Sequence, residues 1–169
     1  MTIAWQNKLE EAFEAATRLV ILGIGNKDRA DDAAGVLCAE SILQKLENKH
    51  PARLKIIIGF EVPENCTHEI RDYHPTHVLI LDSVAGGKPP GEIFFVDPSR
   101  IVDDDVSTHR IPLPMLLRYL KESIGADVLI IGIQPGDTAP GGPVTPQVLI
   151  SVDLLGHRII EMASDADLI

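Results

Sequence analysis

The fold is decided by residues 18–35, RLVILGIGNKDRADDAAG, where an apolar run ends in glycines and is followed by acids. The run at 18–24 has the composition of a buried strand, and the stretch after the acids spaces its apolar residues as a helix does. A strand, a glycine loop and a helix in this order open a strand–helix–strand unit. Asp31 and Asp32 therefore stand where the loop enters the helix.

The same alternation continues to the end of the chain. Strands are predicted at 18–24, 53–60, 76–82, 92–96 and 127–133, and helices at 4–17, 32–47, 63–73, about 115–123 and 146–163. This order predicts an α/β fold, a three-layer α/β/α sandwich with a twisted, mostly parallel sheet of about five strands. The short strand at 92–96 is expected at an edge, antiparallel to its neighbour. We expect a single domain over residues 1–169, because a chain of this length forms one core.

Composition excludes several classes of partner. The net charge is −10, from 15 basic and 25 acidic residues, and no basic stripe offsets it, so a nucleic acid is not expected to bind. No apolar run reaches the roughly 20 residues that span a bilayer, and the N-terminus lacks a secretory apolar region. Cys38 and Cys66 fall in predicted helices as small core residues. We therefore expect a cytoplasmic protein without membrane insertion.

Polar residues gather at the carboxyl ends of the predicted strands, where open α/β sheets bind ligands. They are Asn26, Asp31 and Asp32 after the first strand, Glu61 after the second, Asp82 after the third, and Gln134 and Asp137 after the last. His109 precedes the helix before the last strand, and its loop can fold back over the same edge. One edge therefore collects several carboxylates and an imidazole.

Two chemical uses of such a set remain open. Two carboxylates and an imidazole can bind a first-row divalent cation, or the carboxylates can act as an acid–base pair. Each residue also has a structural alternative. Asp31 is predicted to cap the N-terminus of the following helix, Asp82 can end its strand in a turn, and His109 can satisfy a loop carbonyl group.

The glycines also invite a nucleotide-binding interpretation, which the residues around them oppose. Gly23 and Gly25 form G-x-G after a strand, but the third glycine of the dinucleotide motif is missing. Acids at the helix N-terminus would repel a pyrophosphate. Peptidyl-tRNA hydrolases also begin with a strand ending in G-x-G-N and are an alternative, but they should show a basic cleft and a histidine soon after the first loop. This chain has no histidine before His50.

Several motifs together resemble the maturation endopeptidases of NiFe-hydrogenases, most closely the hydrogenase-3 type. They are LGIGNKDRADDAAG at 22–35, VPEN at 62–65, LDSVAGGKPPGEI at 81–93, STHRIPL at 107–113 and IGIQP at 131–135. Members of this family remove a C-terminal extension from the precursor of the hydrogenase large subunit after nickel has entered it. The resemblance therefore implies a hydrolase acting on that precursor, with nickel supplied by the substrate as the recognition element and no organic cofactor.

The resemblance also implies the site residues. The family's metal-sensing acid, aspartate and histidine fall on Asp32, Asp82 and His109, with Asp32 and Asp82 as the catalytic pair. Asp31 is then left for capping. Gln134 stands where the family often has glutamate. We expect the enzyme to work as a monomer.

The reaction implied is hydrolysis of a peptide bond, and its mechanism has two alternatives. Either a metal-bound water or one of the aspartates supplies the nucleophile or general base. No serine–histidine–acid arrangement can be placed in the sequence, and both cysteines are expected to be buried, so a covalent nucleophile is not predicted. The alternative function is a non-catalytic nickel-binding assembly factor.

Overall fold

Apolar runs rich in Leu, Ile and Val form the strands of a single sheet in a computed structural model that describes residues 4–47, 49–100 and 113–169. The strands are β1 Leu19–Ile24, β2 Leu54–Phe60, β3 His77–Ser83, β4 Ile93–Phe95 and β5 Asp127–Ile133. Each begins and ends within two residues of its predicted bounds. This agreement is expected, because a strand covered on both faces is nearly continuous in apolar residues.

The strand order is β2-β1-β3-β5-β4. The first four strands in this order run parallel, and β4 pairs antiparallel with β5 at the edge. The predicted α/β architecture, with a mostly parallel sheet and one short antiparallel edge strand, is confirmed. The prediction of one domain over residues 1–169 stays a prediction.

The helices lie close to their predicted positions, with differences of a few residues at some starts and some ends. They are α1 Ala4–Ala15, α2 Ala34–Lys45, α3 Thr67–Tyr73, α4 Leu113–Tyr119 and α5 Pro146–Asp165. A 3-10 turn precedes α2 at Ala30–Ala33, another precedes α3 at Pro63–Cys66, and α4 continues as a π-helical segment over Leu120–Ile124. Thr145 and Pro146 open α5 as predicted.

Two apolar layers enclose the sheet. Alternate residues of β1 point to opposite faces, so Leu19 and Ile21 pack with α1, α2 and α5, whereas Val20 and Leu22 pack with α3 and α4. The molecule therefore has three layers, as predicted. Within the described ranges, no helix combines the length and apolar character needed to cross a lipid bilayer.

The topology identifies one crevice. From β1 the chain moves to β2 on one side, and then returns to place β3 on the other side of β1. In open α/β sheets, ligands bind outside the carboxyl ends of the strands at such a switch point. The carboxyl ends of β1 and β3 are therefore the expected place for a site; Asp32 follows β1, and Asp82 lies near the end of β3.

Gly35 lets α2 approach these two strand ends. A Cβ atom added to Gly35 would lie 2.1 Å from the carbonyl oxygen of Leu81 and 2.4 Å from that of Ile24. No side chain fits at those distances, because both neighbours are backbone atoms of central strands. The start of α2 is thus packed directly against the ends of β1 and β3, which fixes the loop before it.

We expect Gly35→Ala to lower the free energy of unfolding by about 2–4 kcal/mol, because the added methyl group must displace the helix or a strand. Urea denaturation followed by circular dichroism measures this change. Gly156→Ala in α5 is the matched control, since its Cβ would meet Ser41 Oγ at 3.3 Å, and alanine favours a helix. The control should change stability by less than about 1 kcal/mol, and an equal loss in both variants would contradict the assignment.

Candidate active site

The loop after β1 folds back over the end of its own strand. Gly25 has a φ of 146°, and a Cβ atom on it would lie 2.0 Å from the carbonyl oxygen of Asp32. The backbone N–H of Asn26 donates a hydrogen bond to Asp32 Oδ2 at 3.0 Å. The glycine therefore brings the 3-10 turn against the strand end and holds the half-buried carboxylate of Asp32 beside it.

Asp31 points in another direction and is fully buried. Its carboxylate accepts hydrogen bonds from the backbone N–H groups of Gly136 at 2.7 Å, Asp137 at 2.9 Å and Thr145 at 2.7 Å. The hydroxyl group of Thr145 donates a fourth at 3.1 Å. The prediction that Asp31 caps the following helix is wrong, since neither the 3-10 turn nor α2 has a side-chain cap. The carboxylate instead joins the loop after β1 to the loop after β5.

These contacts also govern the ionisation of Asp31. Burial raises the pKa of its carboxyl group, but the hydrogen bonds from Thr145, Asp137 and Gly136 together lower it by more. The pKa therefore lies below its usual value, because the donors stabilise the charged form. A buried carboxylate with this many donors remains ionised at neutral pH.

Backbone contacts between the same two loops add to this connection. The N–H of Asp31 donates to the carbonyl of Asp137 at 2.9 Å, and the N–H of Gly141 donates to that of Asp28 at 2.7 Å. The loop that carries Asp32 is thus held along its length by the loop that enters α5.

Gln134 connects a third loop to the same edge. Its side-chain Oε1 accepts from the backbone N–H groups of Gly86 at 2.7 Å and Lys88 at 3.1 Å, and Nε2 donates to the carbonyl of Pro135 at 3.1 Å. The residue is buried. An amide both accepts and donates here, which a carboxylate cannot do. The glutamine therefore holds the loop between β3 and β4 in place.

Asp82 lies near the end of β3, the direct neighbour of β1. Alternation along the strand places its side chain on the sheet face that α3 and α4 cover, as for Val78 and Ile80. Its Oδ1 accepts a hydrogen bond from the N–H of Ser83 at 2.8 Å. Asp32 and Asp82 thus lie at the carboxyl ends of adjacent strands.

The other predicted site residues are His109, Asp137 and Glu61. His109 lies outside the described residues, so its place beside Asp32 and Asp82 stays a prediction. Asp137 Oδ1 accepts from the N–H of Ala139 at 2.9 Å and shapes its own loop. Glu61 is exposed beyond β2. Among the residues described, no three His, Cys, Asp or Glu side chains form a metal-binding group, a finding that leaves a set including His109 untested.

Comparison with known proteins gives the family. Residues 36–162 match the family described as HycI, hydrogenase maturation protease. The chain is 36% identical over 141 residues to the hydrogenase 3 maturation protease of Escherichia coli K12, covering 83% of this chain and 87% of the relative. The chain belongs to the hydrogenase maturation protease family. Membership makes the protein a peptidase and selects this function over the peptidyl-tRNA hydrolase alternative.

Solved structures of the family have the same fold. The crystal structure of the hydrogenase maturation protease HycI from Thermococcus kodakarensis KOD1 superposes with a TM-score of 0.83 at 36% identity, covering 93% of this chain and 99% of that one. The hydrogenase maturating endopeptidase HybD of Escherichia coli matches with a TM-score of 0.66 at 22% identity, covering 88% and 93%. The second likeness shows the shared fold alone.

Neither cysteine of this maturation protease has the environment of a nucleophile. Cys38 in α2 is fully buried, and burial raises the pKa of its thiol to about 12. Cys66 is only half-buried, in a 3-10 turn rather than in a helix core as expected. Burial, with Glu69 and Glu64 nearby, raises its thiol pKa as well. A thiol that resists ionisation is a poor nucleophile, which agrees with the prediction from sequence.

We expect Asp31→Asn to lower the free energy of unfolding by about 2–4 kcal/mol at pH 7, because it removes a buried charge from four donors. The pKa of Asp31 is lower in the folded than in the unfolded state, so its contribution is complete above roughly pH 4 and is lost as the pH falls through the folded value. The stability difference between wild type and variant should therefore narrow below about pH 4.

Denaturation at a series of pH values measures both effects. Asp28→Asn, at an exposed position in the same loop, is the control and should change stability by less than about 0.5 kcal/mol at every pH. A difference between wild type and Asp31→Asn that stays constant from pH 7 to pH 3 would show that the charge of Asp31 is unimportant.

Proposed function

We propose that this protein cuts the C-terminal extension from the precursor of a NiFe-hydrogenase large subunit once nickel has been inserted. The proposal rests on one observation: a member of the maturation protease family carries two aspartates at the carboxyl ends of adjacent strands, at the switch point of its sheet. In this proposal nickel belongs to the substrate, and the enzyme recognises the precursor by contacting that nickel.

Asp32, Asp82 and His109 are the residues proposed to meet that nickel. Carboxylate oxygens and an imidazole nitrogen are suitable ligands for a first-row divalent cation. A metal already held by the thiolates of the substrate needs only a few further contacts. Weak affinity for free metal therefore fits an enzyme that must distinguish a loaded precursor from an empty one.

The rigidity of the edge supports this role. The loop carrying Asp32 is held through Asp31 by the loop before α5, and Gln134 holds the loop after β3. Side chains that are already fixed lose little conformational entropy when the substrate binds. They also position the peptide bond relative to the reacting group. In this proposal the loops that carry the two acids therefore keep their positions when the substrate binds.

The chemistry requires a water molecule, a group that takes its proton and a group that orients the scissile carbonyl. A water bound to the substrate's nickel can be the nucleophile, with an aspartate as its base. Alternatively, an aspartate activates a water that the nickel does not touch. In both cases an oxygen of Asp32 or Asp82 accepts the proton of the attacking water, and replacement of either residue by asparagine removes this capacity while keeping its shape.

Two further properties complete the proposal. We place the protein in the cytoplasm, where the precursor would be assembled, and as a monomer on its substrate. The non-catalytic assembly factor remains the alternative. It predicts a stable complex with the precursor without loss of the C-terminal peptide.

We expect Asp32→Asn, Asp82→Asn and His109→Ala each to reduce processing of a nickel-loaded precursor by about 100-fold or more. Asn26 and Ser83 each need an acceptor oxygen from these aspartates, and asparagine supplies one, so both Asn variants should keep the fold. Mass spectrometry of the released peptide measures processing, and circular dichroism checks folding.

Asp28→Asn again serves as the matched control and should process the precursor at the wild-type rate. Processing by Asp32→Asn or His109→Ala at normal rates would reject the site assignment. A wild-type protein that binds the loaded precursor without cutting it would reject the proteolytic role in favour of the assembly factor.

A further inference from the structure

Within the described part of the chain, two residues other than glycine hold a left-handed backbone that no helix end explains. Glu47, His74 and Asp167, which also have positive φ, closely follow α2, α3 and α5, where this conformation is common. Ala30 and Phe60 remain, with φ of 45° and 49°; Ala30 begins the 3-10 turn before α2, and Phe60 is the last residue of β2. A bulky residue in this region is strained, so Phe60 needs an explanation.

The side chain of Phe60 contributes little to the core. It is 50% exposed at the end of β2. A glycine would adopt the same backbone without strain, and much of the apolar area of the ring remains in water. Stability of the fold therefore does not account for a phenylalanine at this position.

Phe60 lies next to the loop that carries Asp32. Its carbonyl oxygen accepts a hydrogen bond from the N–H of Gly25 at 3.0 Å. Gly25 is the residue whose lack of a side chain lets the carbonyl group of Asp32 come close. One backbone hydrogen bond thus separates the aromatic residue from the loop of the proposed catalytic acid.

Val62 extends the same surface. It is 37% exposed, and the turn that contains it is closed by hydrogen bonds from Val62 N to the carbonyl of Gly59 at 3.3 Å and from Asn65 N to the carbonyl of Val62 at 3.0 Å. Phe60 and Val62 are thus two partly exposed apolar residues in one hydrogen-bonded turn, with the exposed Glu61 between them, and we name this pair the apolar lip.

We propose that the apolar lip is a docking contact for the hydrogenase large-subunit precursor, against which an apolar side chain of the substrate packs. This inference rests on the proposed function, since the precursor must cover the edge that holds Asp32 and Asp82. The end of β2 adjoins the end of β1, so a protein substrate bound at Asp32 can extend over the end of β2. An aromatic ring held in position loses little conformational freedom on binding, and such rings often dominate protein interfaces.

The test uses Phe60→Gly, because this variant separates docking from folding. Glycine relieves the strain at φ of 49°, so the thermal midpoint should be unchanged or higher. The KM for a nickel-loaded precursor should rise about tenfold with kcat within about twofold of wild type. Phe60→Leu keeps an apolar side chain and should recover most of the lost affinity.

Leu43→Ala is the matched control. Leu43 is 44% exposed on α2, with a regular helical backbone, and its replacement should leave KM unchanged. The dissociation constant of the complex with the precursor is measured in an Asp32→Asn background and should rise about tenfold when Phe60→Gly is added. The same rise is expected if the wild-type protein binds the precursor but does not cut it. A tenfold rise in a protein that binds without cutting would reject the proposed function but support the apolar lip as a docking contact. Equal KM and equal dissociation constants with and without the Phe60→Gly substitution, or no complex with the precursor, would overturn the lip.

Discussion

The buried carboxylate of Asp31 is the constraint on which the carboxyl edge of this protein depends. A charge removed from water must be matched by hydrogen bonds, and three backbone N–H groups and one hydroxyl group supply them. Those donors belong to a loop that contains several glycines and prolines and makes no regular structure of its own. The requirement to satisfy one charge therefore fixes a whole loop, the start of α5 and the neighbouring Asp32.

The two adjacent acids, Asp31 and Asp32, thus differ in burial and in hydrogen bonding. Asp31 points inward and has a lowered pKa because its donors outweigh the effect of burial, whereas Asp32 stays half-buried beside the end of β1. The left-handed backbone of Ala30 directly precedes the pair. Strain of this kind persists only where surrounding contacts determine the conformation, and here the contacts of Asp31 do so. An edge fixed in this way suits a peptidase, which must hold its substrate in one position.

Much of this could be predicted from the sequence. The strands were located to within two residues because apolar runs and glycine or proline breaks are local signals. The motifs identified the family, and the placement of Asp82 and Asp32 at one edge of the sheet followed from the parallel strands, whereas the strand order that makes β1 and β3 neighbours came from the structure. The capping role of Asp31 was wrong because its true donors lie 105 to 114 positions later in the chain. The two acids look equivalent to any rule that considers only neighbouring residues.

By itself, the sequence determined the layers, the mostly parallel sheet and the edge that gathers the acids, since periodicity and loop length depend on short stretches of chain. It also supplied an acid pair, a glycine that permits close approach and a glutamine at the last strand. Tertiary structure alone decided which acid turns inward, what Gln134 holds, and that Phe60 lies beside the loop of Asp32. These outcomes depend on hydrogen bonds and contacts between segments far apart in sequence, whose geometry exists only once the strands have assembled.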